Sequence, residues 1–197
     1  MTYPCAVREN LTSLGDRIVW LQTAGPGVDT IDNAKVSISL THHEIHQGRH
    51  YTVAVLDVSV DIIAPKYVRI TSPDTPTRIH FVGVVSADGA SLVEFYEDPT
   101  LLAAGNALIE YNNDRNSLNA ATATTFEDTT TQAPNNDGTL LFAGRVGGTG
   151  VGQTRISGQL ADREEWILKQ NEDYLIKVTV DANATEVTIV LTWYEVP

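Results

Sequence analysis

WILKQNEDYLIKVTVDANATEVTIVLTWYE, residues 166–195, is the stretch whose reading decides the fold. Within it Tyr174, Ile176, Val178 and Val180 share one face of an extended segment, while Leu175, Lys177, Thr179 and Asp181 share the other. Successive side chains of a strand point to opposite faces, so apolar residues at every second position mark a half-buried strand. Val187, Ile189, Leu191 and Trp193 repeat the pattern against Glu186, Thr188, Val190 and Thr192. Asp181 to Ala184 is short and turn-compatible, so the two segments are expected to pair as an antiparallel hairpin. Gln170 to Asp173 makes a second polar turn that brings Trp166 to Lys169 in as a third short strand, and this ladder is expected to close a β domain.

The chain has 197 residues, enough for one domain plus an extension. A body of that size buries roughly 70% of the surface its unfolded chain exposes and needs no covalent staple. The net charge of -12 and the pI of about 4.6 oppose attraction to nucleic-acid phosphates and anionic membrane surfaces, so neither is expected as a partner. A lone cysteine, Cys5, excludes an internal disulfide and fits assembly in a reducing cytoplasm. No apolar run approaches the roughly 20 residues of a membrane span. Met1 to Pro4 lacks a basic stretch leading into an apolar one, so an export signal of that kind is not expected.

Residues 1–41 read as an extended N-terminal arm and residues 42–197 as the body. Glu9 to Gln22 carries Leu11, Leu14, Ile18 and Leu21 at helical spacings, interrupted by Gly15 and ended by Gly25-Pro26-Gly27. An irregular arm with one strand at Arg17 to Gln22 is the competing reading. Either way Val19, Trp20 and Leu21 stand exposed unless something covers them, which makes them the candidate partner-contact residues. Lys35 to Leu40 alternates and is expected as an edge strand joining the body or a neighbouring subunit.

Four of the five histidines fall in Thr41 to His50 (THHEIHQGRH). Metalloprotease helices present H-E-x-x-H, but here His43-Glu44 is followed by His46, one residue too early. Gly48 argues against helix continuation. In an extended segment His42, Glu44 and His46 share a face at about 7 Å per step, too far apart for a local three-ligand site without curvature. The reading adopted is structural, with imidazoles hydrogen-bonded across a strand start and no metal, cofactor or catalytic residue assigned. Metal binding and pH sensing stay open as alternatives.

Tyr51 to Ile63 is a long strand in which Val53 and Val55 lie on one parity and Leu56, Val58, Val60 and Ile62 on the other, as a bulge near Val55 would produce. Tyr67 to Thr71 follows, then Arg78 to Ser86 with Ile79, Phe81 and Val85 together, and Asp88-Gly89 is expected to make a hairpin turn into Ser91 to Glu97. His80, on the opposite parity, is expected to be exposed or cross-strand. Shorter strands are expected at Ala107 to Tyr111, Ala121 to Phe126 and Leu140 to Ala143, with a polar turn at Asn112 to Ser117. Gly144 to Gly158 lacks the Lys-Ser or Lys-Thr and the helix of a phosphate loop and is expected to be an exposed flexible loop. Uneven strand lengths, a bent first strand and long crossovers favour an all-β fold, a two-sheet antiparallel β-sandwich of jelly-roll-like form.

The segments His42 to Tyr51, Glu110 to Ser117 (EYNNDRNS), Asp137 to Phe142 (DGTLLF), Glu165 to Val178 and Leu191 to Glu195 (LTWYE), in that order, resemble a group of tailed-bacteriophage virion proteins, the head decoration, or cement, proteins. The resemblance covers residues 42 to 197. It implies a protein made in the host bacterial cytoplasm that sits on the outer capsid surface as a dimer or trimer and bridges neighbouring major capsid protein subunits, with no enzymatic activity. Two other classes remain beside it. One is a tail, fibre or baseplate adaptor with carbohydrate binding through exposed loops. The other is a cupin-like metalloenzyme built on His42, His43, Glu44 and His46, whose G-x5-H-x-H-x3,4-E-x6-G spacing is absent here.

Overall fold

The computed structural model describes residues 17–20, 36–131, 136–147, 152–156 and 165–197. In chain order the elements are β1 (Arg17–Trp20), β2 (Val36–Ser39), α1 (Leu40–His46), β3 (His50–Val60), β4 (Lys66–Thr71), β5 (Arg78–Ala87) and β6 (Ser91–Glu97). There follow β7 (Leu101–Ala103), β8 (Asn106–Ala107), β9 (Tyr111–Asn112), β10 (Thr124–Glu127), β11 (Thr130–Thr131), β12 (Thr139–Val146), β13 (Gly152–Ile156), β14 (Trp166–Leu168), β15 (Asp173–Val180) and β16 (Thr185–Val196).

Two antiparallel sheets face each other. One runs β12-β6-β15-β4-β10-β8, and the other runs β13-β5-β16-β3-β9 with β14 also on β5. The pairings are nested: β3 lies beside β16, β4 beside β15, β5 beside β13 and β14, and β6 beside β12. A chain doubled back on itself in this way and rolled into two sheets is the jelly-roll-like sandwich that the strand pattern implies.

The expected C-terminal hairpin does not form. β15 pairs with β4 and β6, whereas β16 pairs with β3 and β5, so the turn at 181–184 carries the chain from one sheet to the other. Both apolar faces are assigned as the alternation requires, but they meet across the core instead of lying side by side. Tyr174, Ile176, Val178 and Val180 on one layer and Val187, Ile189, Leu191 and Trp193 on the other are all buried. Asp88-Gly89 is likewise an inter-sheet crossover and not a hairpin, because β5 and β6 belong to different sheets. The third short strand of the C-terminal stretch, β14, pairs with β5 and not with β15.

Aromatic rings tie the layers together. Phe81 stacks on Phe95 at 5.4 Å between ring centroids, and Phe95 in turn meets Tyr174 at 5.7 Å and Trp166 at 5.9 Å. Full burial of one such side chain contributes about 1.5–3 kcal/mol.

Between β6 and β12 the chain makes an excursion, residues 98–138. Its strand β10 extends the first sheet beyond β4. There the Arg69 guanidinium lies 4.1 Å over the Phe126 ring, binds Asp173 at 3.1 Å and donates to the Ala104 carbonyl at 3.4 Å. Arg69 and Leu175, on the outward parity of this sheet, are buried as a result.

The Gly-rich segment is not a loop throughout. Gly144 to Val146 continue β12, and Gly152 to Ile156 form β13 along β5. At the N-terminal end β1 and β2 pair with each other as a separate two-stranded sheet, so the strand expected within Lys35 to Leu40 forms at Val36–Ser39 but pairs with β1 and joins neither large sheet. The boundary expected after residue 41 falls inside α1, and the sandwich ladder starts at His50.

Candidate functional site

The apolar surface that stands out lies on β3, beside a bulge that ends the strand's regular alternation. Thr185 of β16 faces Val60 while Val187 faces Asp57, so two steps along β16 span three along β3. One extra residue therefore sits between Asp57 and Val60, later than the Val55 position expected from sequence. Up to the bulge the odd positions Tyr51, Val53 and Val55 point into the core, and after it Val60 does. Leu56 and Val58 are left outside, 61% and 64% exposed, and Ile62 and Ile63 follow at 47% and 87% on the turn that ends the strand. The Asn183 side chain accepts the Ile62 N–H at 3.0 Å and anchors this turn to the one between β15 and β16.

Among the described residues the same strand has an unpaired margin. β9 covers only Tyr51 and Thr52. The His50 carbonyl accepts from Asn113 N–H on the β9 side at 2.8 Å, and the Arg49 carbonyl accepts from Glu195 N–H on the β16 side at 3.0 Å. By this alternation the main-chain groups of Ala54 and Leu56 face away from β16, and among the described residues no strand lies alongside them. Sheet edges are usually blunted by Lys, Pro or inward charges. Here the outward positions are Ala54, Leu56 and Val58. On the outer face of the sheet Ala54 aligns with Val190 and Val190 with Val84, which continues the apolar row inward from the edge.

An anionic rim borders the edge. The Lys66 ammonium lies 2.7 Å from Asp128, 3.0 Å from Glu127 and 3.6 Å from Asp57. Burial alone would lower its pKa, but hydrogen bonds and charge from Asp128 and Glu127 outweigh it and raise the value. One cation among three carboxylates leaves the rim net negative.

The histidine segment is helical, which corrects the extended geometry. α1 ends in the bonding pattern of a glycine-terminated helix: Arg49 N–H reaches the Glu44 carbonyl at 3.0 Å and Gly48 N–H reaches that of Ile45 at 2.9 Å. Gly48 takes φ +64, and a Cβ there would lie 2.2 Å from Ser117 Oγ, so the glycine is required twice over. Gly48 does stop the helix, as its type suggests, but only after two turns have formed.

The histidines then separate by environment. Glu44 is buried, and its carboxylate meets Arg49 Nε at 2.8 Å as an ion pair. His50 is buried at the start of β3, and that burial pushes its imidazole pKa down, with a smaller opposing pull from the Asn113 side chain. His42 and His46 stay on one exposed face, one turn apart, with Nε2 to Nε2 at 2.8 Å. Among the described residues no three His, Cys, Asp or Glu side chains group to hold a metal ion.

Of the candidate contact residues, Val19 and Trp20 lie on β1, opposite Ser37 and Val36 of β2. Leu21 lies outside the described residues, as does Cys5. His80 is cross-strand as expected: its ring stacks on Tyr194 at 4.5 Å, and its Nδ1 is 2.9 Å from Glu165. The Asn112 to Ser117 turn is structural. Asn112 is buried, donates to the Gly48 carbonyl at 2.8 Å and accepts from Asp114 N–H at 2.9 Å. Sequence reasoning missed Leu56 and Val58 as surface residues. The parity slip was the available signal, but it does not say on which side of Leu56 the bulge falls.

Among the described residues no helix is long and apolar enough to cross a membrane. No protein-family model, no curated protein and no solved structure matches the chain.

Proposed function

We propose that this chain is a bacteriophage head decoration protein that binds the outside of the shell and bridges neighbouring major capsid protein subunits. The observation that carries the reading is the apolar margin of β3, unpaired among the described residues, with Leu56 and Val58 outward and the anionic Lys66 cluster beside it. Such an edge offers main-chain hydrogen bonds and apolar side chains together, the combination by which one protein adds a strand to another. The β1–β2 pair is a second element, separate from the two large sheets, and Val19 and Trp20 on it are the anchors assigned to the partner. The resemblance carried by the order of motifs along residues 42–197 supports a major capsid protein as that partner. A ligand that binds only the assembled shell stabilises it by mass action, so occupancy converts directly into resistance to internal pressure. The acidic chain suits an exterior position, away from packaged DNA. The proposal assigns no catalytic step.

The test is titration of the purified chain onto DNA-expanded shells and onto isolated tails of the same virus. Saturable binding to shells, with a higher disruption temperature of the bound particles, is the expected result. Binding confined to tails would transfer the protein to an adaptor role, and no binding to either would end the proposal. Removal of residues 1–39 is expected to reduce shell occupancy while the sandwich stays folded.

A further inference from the structure

We infer that His42 and His46 form a two-imidazole chelate for a late first-row divalent cation, copper(II) or nickel(II), on the outer face of α1. The two side chains are one helical turn apart, and their Nε2 atoms lie 2.8 Å from each other with the rings at 61°. In the ion-free pair one ring donates its N–H to the other, and a metal ion takes the place of that shared hydrogen. Two nitrogens each about 2.0–2.1 Å from one ion lie about 2.9 Å apart at a 90° angle and about 3.4 Å apart at a tetrahedral one. The observed separation is compatible with adjacent positions of a square-planar or octahedral ion, and imidazole donors favour nickel and copper over the earlier first-row divalent ions.

The site is presented for binding. Both residues are exposed, so an ion reaches them from solvent. The net charge of -12 raises the local concentration of cations. On either side of α1 the chain passes into β2 and β3, so an ion spanning one turn stiffens the joint between the β1–β2 pair and the sandwich. This role is independent of any binding to a shell.

Copper(II) chloride and nickel(II) chloride are titrated by calorimetry into the native chain and into the variants His42→Ala, His46→Ala and His43→Ala, with copper spectra recorded by electron paramagnetic resonance. The expected result is one tight equivalent with two nitrogen ligands, weakened about tenfold or more by His42→Ala or His46→Ala and unchanged by His43→Ala. Circular dichroism confirms that each variant folds, as substitution of exposed helix positions by alanine should allow. Absence of binding to the native chain, or binding equal in the double variant H42A/H46A, overturns the assignment.

Discussion

Trp193 Nε1 donates to the carboxylate of Glu195, two residues further along β16, at 3.1 Å inside the core. The same carboxylate accepts Thr122 N–H at 2.9 Å, Thr122 Oγ1–H at 2.7 Å and Ala123 N–H at 3.1 Å. One buried charge thereby ties the last strand to the excursion between β6 and β12. Replacement of Glu195 by Ala leaves four donors without their acceptor, and a buried donor without a partner costs about 1–3 kcal/mol. We expect Glu195→Ala to destabilise the fold by about 3 kcal/mol or more, read as a lower urea midpoint at unchanged slope. A shift below about 0.5 kcal/mol, the range of ordinary surface substitutions, would contradict this role.

His50 makes stability depend on pH. Its folded pKa is lowered by burial from the ordinary 6.5, so in the window below 6.5 the unfolded chain binds more protons than the folded one. The contribution is complete above 6.5 and is lost as pH falls from there through the lowered folded value. The melting temperature of the native chain should therefore fall between pH 7.5 and pH 5.5, and His50→Asn should flatten that fall. An equal slope in the two proteins would show that other groups set it.

Leu56→Asp combined with Val58→Lys separates folding from recognition. Both side chains are outside the core, so the urea midpoint of the isolated chain should move by no more than about 0.5 kcal/mol. Shell occupancy should drop sharply, because a charged edge resists strand addition. Unchanged occupancy at native stability would place the contact surface elsewhere.

Gly105 takes φ +86, and a Cβ there would lie 2.1 Å from the Glu127 carbonyl oxygen and 2.7 Å from Thr129 N. Both obstacles are main chain and cannot swing aside. Gly105→Ala should cost about 2 kcal/mol or more, from left-handed strain together with the clash. Hydrogen exchange should localise the loss to residues 98–131, with β15 and β16 still protected.

Alternation along residues 174–180 and 187–193 was sufficient to name the inward residues of both strands, because which face a side chain takes is set by the local backbone period of two. The all-β class followed for the same reason, together with the turn residues between the segments. Strand partners were not legible. A ladder of main-chain hydrogen bonds is chemically the same against any neighbour, so nothing within residues 166–195 distinguishes a hairpin from a turn that crosses to the opposite sheet. That choice is made by the core, which closes only if the faces of Tyr174 and Trp193 look toward each other from two layers. The bulge between Asp57 and Val60 is decided in the same way, by the need of Val60 to reach the interior opposite Thr185. Because the bulge falls after Leu56 and not before it, Leu56 and Val58 keep the outward parity of Ala54 and only Val60 changes face. The pairing of His42 with His46 belongs to tertiary structure as well: a two-turn helix is marginal alone, and α1 exists because Gly48 seats against Ser117 while Glu44 is buried with Arg49.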